Sequence, residues 1–90
     1  MSLRMIYTNS FKKDLKKIQK RGKNLSLLED IMRKLSIPEK LDEKNYDHSL
    51  KGRYISHREC HIEPDWLLIY RIKENDILFF RTGSHADLFK

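Results

Sequence analysis

The chain has 90 residues, of which 19 are Lys or Arg and 13 are Asp or Glu, so its formal net charge is +6 at pH 7. This length suffices for one domain with one core, expected over residues 1–90, and leaves little room for a deep pocket. The positive charge favours a polyanionic partner, with nucleic acid first among the candidates. Residues 1–3 precede a second Met and are consistent with a cloning scar.

Cysteine count and hydropathy argue against a disulfide-stabilised secreted protein and against a membrane-spanning protein. The one cysteine, Cys60, cannot form an internal disulfide, which fits a reducing compartment. The longest apolar run, residues 66–70, is too short to cross a bilayer, and no charged start leads into an apolar signal segment. We therefore expect a cytoplasmic protein with no membrane partner.

The first half of the chain predicts one strand and two helices. Residues 4–8 predict the strand, and the polar residues at its end can cap a helix that stops at Gly22. Asn24 or Ser26 can cap a second helix, which carries one apolar stripe. Residues 39–46 show no periodicity and predict a loop.

The exposed side of the first predicted helix carries a basic stripe in which Asp14 is the only acid. A solvated face is the simpler interpretation of a row of lysines. The alternative is a surface that binds the phosphates of RNA or rRNA, with an attraction that weakens as salt is added. The basic stripe consists of Lys12, Lys13, Lys16, Lys17, Lys20 and Arg21.

The second half of the chain predicts a sheet. β-branched and aromatic residues indicate three antiparallel strands at residues 53–62, 66–73 and 77–82. Gly83 breaks the last strand, and at most one helical turn can follow. The order β-α-α-β-β-β predicts an α+β fold, with two N-terminal helices packed on one face of an antiparallel sheet. The other face is then free to hold RNA.

Three of the four histidines, His48, His61 and His85, lie at junctions between predicted elements. Histidine, with an unperturbed pKa of about 6.5, both accepts and donates protons near neutral pH. Two histidines could cleave RNA without a metal, one taking the proton from the attacking 2′-OH and the other protonating the departing 5′ oxygen. Asp65, at a hairpin corner, and Arg81, which could offset phosphate charge, complete a candidate site. For any single histidine, a hydrogen-bonding surface residue is the simpler interpretation.

Other residues leave alternatives open. The pattern His57-x-x-Cys60-His61 has ligand-like spacing for zinc, but neighbouring strand residues point to opposite faces and no second Cys pair is present. Phe89 could dock on the core or stack on a nucleotide. Glu59 could act as a base, although nothing in the sequence distinguishes it from a solvated acid. We expect no metal and no other cofactor.

Three motifs follow one another along the chain: Asp47-His48-x-Leu50-x-Gly52, Arg58-Glu59-Cys60-His61-Ile62-x-Pro64-Asp65-Trp66-Leu67-Leu68-Ile69-Tyr70, and Arg81-Thr82-Gly83-Ser84-His85-Ala86-Asp87-Leu88-Phe89. They closely resemble the YafQ branch of the RelE/ParE toxin superfamily, and the resemblance covers nearly the whole chain from Met5. It implies a bacterial type II toxin that enters the ribosome, cleaves mRNA in the A site and inhibits translation until a cognate antitoxin masks it. Carried over by motif, the catalytic set is His48, His61, Asp65, His85, Arg81 and Phe89.

The resemblance also implies roles within this set. We assign His48 as the general base and His85 as the general acid, with His61 and Asp65 orienting and stabilising. Two alternatives stay open: a ParE-like toxin that binds DNA gyrase and cleaves nothing, and an RNA- or ribosome-binding module without activity. The motif histidines together with Arg81 favour cleavage over gyrase binding.

Overall fold

The structure is a computed structural model that describes residues 2–37, 41 and 43–89. Its helices and strands, in chain order, are β1 (Arg4–Tyr7), α1 (Asn9–Lys20), α2 (Leu25–Ser36), β2 (His48–Ser49), β3 (Arg58–Glu63), β4 (Trp66–Lys73), β5 (Asp76–Gly83) and α3 (His85–Phe89). Short 3-10 turns lie at Glu43–Asn45 and Gly52–Tyr54. Within the described residues, no helix is both long enough and apolar enough to cross a membrane.

Both N-terminal helices begin where their capping residues predict. The Thr8 hydroxyl accepts a hydrogen bond from the Phe11 amide at the start of α1, and the Asn24 side chain accepts one from the Ser26 amide at the start of α2. The apolar stripe of α1, with Phe11 and Ile18, is buried against the sheet together with that of α2. Local sequence signals therefore suffice for these two elements.

The sheet has five strands in the order β1-β5-β4-β3-β2. Strands β3, β4 and β5 are antiparallel, as predicted, whereas β1 pairs parallel to β5, so the sheet is mixed rather than antiparallel throughout. The α+β fold, with two helices on one face, is confirmed. Strand β2 was not predicted, because two residues are too few to show a period of two.

The strand predicted at residues 53–62 begins later, at Arg58. A 3-10 turn occupies Gly52–Tyr54, and Ser56 takes a positive φ of 73°. Part of the loop predicted at residues 39–46 lies outside the described residues; the rest contains the turn Glu43–Asn45.

The second face of the sheet is partly covered, contrary to the expectation that it is free. Leu67 and Ile69 of β4 form a small apolar cluster with Tyr54 and Leu88. The Tyr54 hydroxyl donates to the Leu88 carbonyl oxygen over 2.9 Å, which fastens α3 to the turn before β3. The uncovered remainder of this face carries the polar residues described next.

Candidate active site

Strand register places the predicted site residue His48 beside Glu59 on one face of the sheet. His48 pairs with Glu59, Glu59 with Ile69, and Ile69 with Arg81. Residues paired directly across neighbouring strands share a face, so the first three form a row across β2, β3 and β4. Arg81 stands beside an irregularity in the β4–β5 register, and its side chain reaches Asp14 of α1. Because Ile69 belongs to the small apolar cluster, this face is the one opposite α1 and α2.

A second row places two histidines next to each other. His61 pairs with Leu67, and Leu67 pairs with Gly83 at the end of β5. His85 begins α3 two residues later, and the ring centroids of His61 and His85 are 5.7 Å apart. The end of one strand and the start of a short helix therefore meet at the hairpin corner.

His85 is held by Asp65. Its Nδ1 lies 2.6 Å from Asp65 Oδ1, and its backbone N–H donates to the same oxygen over 2.9 Å. Two hydrogen bonds from His85 hold the pKa of the Asp65 carboxyl below its usual range, and the one from the backbone N–H has the larger effect. Because an ionised carboxylate only accepts, Nδ1 carries the proton of this hydrogen bond and Nε2 is left for a substrate.

His48 is oriented by a backbone group. Its Nδ1 lies 2.9 Å from the Tyr46 carbonyl oxygen. A carbonyl oxygen accepts only, so Nδ1 donates, and in the neutral ring Nε2 is then free to take a proton. This Nε2 faces the Glu59 carboxylate at 3.9 Å.

Glu59 is the site residue that the sequence did not single out. Its Oε1 lies 3.3 Å from His61 Nε2, and the residue is only 4% exposed. A buried carboxylate beside two imidazoles stabilises positive charge on either ring. The available signal was the spacing of Glu59 and His61, two residues apart on a strand and therefore on one face.

Arg81 lies in a bidentate ion pair with Asp14 of α1. Its Nε and Nη2 donate to the two carboxylate oxygens over 2.7 and 3.1 Å, and Asp14 raises the pKa of the guanidinium. Asp14, 5% exposed, also accepts the backbone N–H of Thr82. A guanidinium has five N–H donors, so the others remain for a phosphate. Asp14, expected from the sequence to be part of a solvated stripe, is therefore buried and hydrogen-bonded to two residues of β5.

The lysines of the basic stripe are exposed, whereas its one arginine is engaged. Arg21 donates from Nη1 and Nη2 to Asp87 of α3 over 2.6 and 3.0 Å. These hydrogen bonds hold the pKa of the Asp87 carboxyl well below its usual range. In the described part of the chain, none of the five lysines forms an ion pair. Arg21 therefore links the stripe to α3, and the lysines stay available for a polyanion.

Phe89 docks on the protein, in agreement with one of its two sequence interpretations. Its ring packs edge-on against Tyr54 at 5.4 Å between centroids, and it lies 6.4 Å from the His85 ring. The side chain is nevertheless 44% exposed, so one face remains open beside His85.

The zinc pattern suggested by spacing is wrong. Cys60 is fully buried in the core under the helices, where burial raises the pKa of its thiol, while His61 lies on the opposite face. His57 packs on Phe80, with ring centroids 4.7 Å apart.

A different trio could hold a metal ion: the ligand atoms of Glu59, His61 and His85 lie within 4.8 Å of one another. Imidazole and carboxylate donors together suit a divalent transition metal.

Comparison with known proteins agrees with this geometry. The family model of YafQ, a bacterial toxin of type II toxin–antitoxin systems, matches residues 3–90. The mRNA interferase toxin YafQ of Escherichia coli K12 is 40% identical over 86 residues, which cover 92% of this chain and 91% of that protein. A chain in the crystal structure of the E. coli DinJ-YafQ toxin–antitoxin complex superposes with a TM-score of 0.91 at 36% identity, over 100% of both chains.

A second solved structure is equally similar. A metal-bound toxin from Helicobacter pylori superposes with a TM-score of 0.91 at 43% identity, over 97% of this chain and 99% of that one. The agreement extends over nearly the full length in sequence and in fold. This chain belongs to the YafQ family of bacterial toxins of type II toxin–antitoxin systems.

Proposed function

We propose that this protein is an endoribonuclease toxin that cleaves mRNA in the ribosomal A site, inhibits translation and is neutralised by a cognate antitoxin. The observation that carries the proposal is the approach of His85, at the start of α3, to His48 and His61 on the sheet, with Nδ1 of His48 and His85 hydrogen-bonded and their Nε2 available. The relative from E. coli is named an mRNA interferase, and the DinJ-YafQ complex supports an antitoxin as partner.

The proton transfers follow from the two hydrogen bonds that orient the rings. His48 Nε2 takes the proton from the ribose 2′-OH, whose oxygen attacks phosphorus. The bond from phosphorus to the 5′ oxygen breaks, and His85 Nε2 donates a proton to that oxygen. The products are a 2′,3′-cyclic phosphate and a 5′-hydroxyl end, and the two rings exchange charge in the process.

Charge on the reacting phosphate is offset by neighbouring groups. Arg81, aligned by Asp14, supplies N–H donors that are not used in the ion pair. The buried Glu59 carboxylate stabilises the charge that His48 gains, and Asp65 stabilises the protonated form of His85. The acid, the base and the charge stabilisers are all side chains of this protein.

Cleavage by this route needs no metal ion. A divalent ion held by Glu59, His61 and His85 would act as a Lewis acid toward a phosphate oxygen. It would also bind the imidazole of His85, the proposed acid. We therefore propose metal-independent acid–base catalysis.

Primer extension on an mRNA translated in a cell-free system, with and without the protein, tests this function. We expect discrete cuts within translated codons, and the same message without ribosomes should stay intact. The cuts should persist with a chelator selective for transition metals, with Mg²⁺ retained for the ribosomes. Intact mRNA together with inhibited DNA supercoiling would instead support a gyrase-binding toxin, and cuts that vanish with the chelator would refute metal independence.

We also propose that the basic stripe binds rRNA phosphates. Each phosphate contact contributes about 0.7–0.9 to the slope of log affinity against log salt. Replacing Lys12, Lys16 and Lys20 by Gln should therefore lower ribosome affinity and reduce that slope by about 2. Sedimentation with ribosomes at several salt concentrations measures both, with Lys73→Gln, at the far end of β4, as the control. An unchanged slope would remove the stripe from the interface.

A further inference from the structure

Tyr46 is an exposed aromatic side chain that the proposed mechanism does not use. The residue is 63% exposed, and its ring lies beside the site, 4.5 Å from the His48 ring and 5.7 Å from the His61 ring between centroids. We propose that this ring stacks on the base of the nucleotide on the 5′ side of the cut. The inference rests on the proposed ribonuclease function and adds a nucleobase subsite to it.

The backbone on both sides of Tyr46 is anchored to the sheet. The Asn45 side chain donates to the His61 carbonyl oxygen over 2.7 Å, and Asp47 accepts the Tyr70 hydroxyl at 2.7 Å. Tyr46 itself takes a φ of 45°, in the left-handed region that an aromatic residue rarely adopts. The backbone that carries this exposed ring is therefore fixed at a conformational cost. A side chain on a fixed backbone has less freedom to lose when a ligand stacks on it.

The position of His48 decides which nucleotide reaches Tyr46. If His48 takes the 2′-OH proton, the ribose on the 5′ side of the cut lies at His48. The base of that nucleotide is then next to the Tyr46 ring. Phe89 lies instead beside His85, which protonates the 5′ oxygen of the following nucleotide. Every base offers a π face, so stacking on Tyr46 adds affinity for RNA with little dependence on base identity.

The test combines variants of Tyr46 with synthetic RNA that lacks one base. The RNA is presented free or with its cleaved codon in a vacant ribosomal A site, whichever form the wild type cuts. Tyr46→Leu should raise the half-saturating concentration about 10-fold, with a smaller effect on the saturated rate. Removing the base of the 5′ nucleotide should raise the half-saturating concentration of the wild type by a similar factor. The same RNA should raise that of Tyr46→Leu very little, because the stacking contact is already lost. An abasic 3′ nucleotide should cost both proteins equally.

Two further variants separate stacking from structural support. Tyr46→Asn suits a positive φ, so it should unfold at no lower a temperature than the wild type yet lose the same affinity. Ile72→Ser, an exposed change at the hairpin end of β4, should leave cleavage unchanged.

The stacking inference would be overturned if Tyr46→Leu and the abasic 5′ nucleotide each weakened binding independently, or if Tyr46→Asn bound RNA with full affinity. Either result would leave the proposed cleavage function intact. A wild type that cuts neither form of RNA would overturn the proposed function, and the inference with it.

Discussion

Replacing His85 by Ala should lower the rate of RNA cleavage by about 100-fold or more, because this ring is the proposed acid for the departing 5′ oxygen. The side chain is 55% exposed, so its loss removes little packing, and the free energy of unfolding should change little. The rate is measured by primer extension at saturating protein in a single turnover, and stability is measured by thermal unfolding of the same sample.

His57→Ala is the matched control for this experiment. His57 packs on Phe80 and lies outside the proposed acid–base pair, so cleavage by this variant should stay near the wild-type rate. Undiminished cleavage by His85→Ala would keep the enzyme and remove His85 from the site. An equal loss in both variants would point to a general effect of removing a histidine.

Replacing Asp14 by Ala should lower the free energy of unfolding by about 3 kcal/mol, at the low end for breaking a buried ion pair. The substitution leaves the Arg81 guanidinium without its counter-ion and the buried Thr82 amide without its acceptor. The Arg81 side chain is 25% exposed, so water compensates part of the loss. Urea unfolding of both proteins measures the difference.

Asp30→Ala is the control, because Asp30 also pairs with basic residues of its own helix but at the surface. Exposed ion pairs contribute little to stability, so this variant should unfold close to the wild type. The free energy of unfolding of Asp14→Asn should lie between those of Asp14→Ala and Asp30→Ala, since an amide oxygen can still accept the Thr82 N–H. Equal stability of Asp14→Ala and Asp30→Ala would contradict the structural role of the buried pair.

Elements with strong local signals were predicted from the sequence. Helices α1 and α2 begin directly after their capping residues Thr8 and Asn24, because a polar side chain just before an apolar stripe satisfies free amides of the first turn. Strands β4 and β5 were predicted to within one residue, because their apolar runs are bounded by turn residues. The brief strand β2 carries no such signal.

Residues whose roles depend on distant partners were missed. Asp14 was expected to be one acid in a solvated stripe, yet it is buried against Arg81, 67 positions along the chain. Glu59 was not distinguished from a surface acid, although β2 brings His48 beside it. For Asp14 the information lies in which strand becomes the neighbour, and a local pattern does not contain it. For Glu59 the local spacing placed His61 on the same face, but only the pairing of β2 with β3 adds His48.

Amino-acid order alone established the α+β class, the two helices, the β3–β5 meander and the family, because capping, periodicity and motif spacing act over a few residues. Tertiary packing established which groups meet: His85 with Asp65, His48 and His61 with Glu59, and Arg81 with Asp14. It also placed Cys60 under the helices, away from His61. Strand register and the docking of α1 and α3 create these contacts, and all but the Glu59–His61 pair join side chains from different parts of the chain.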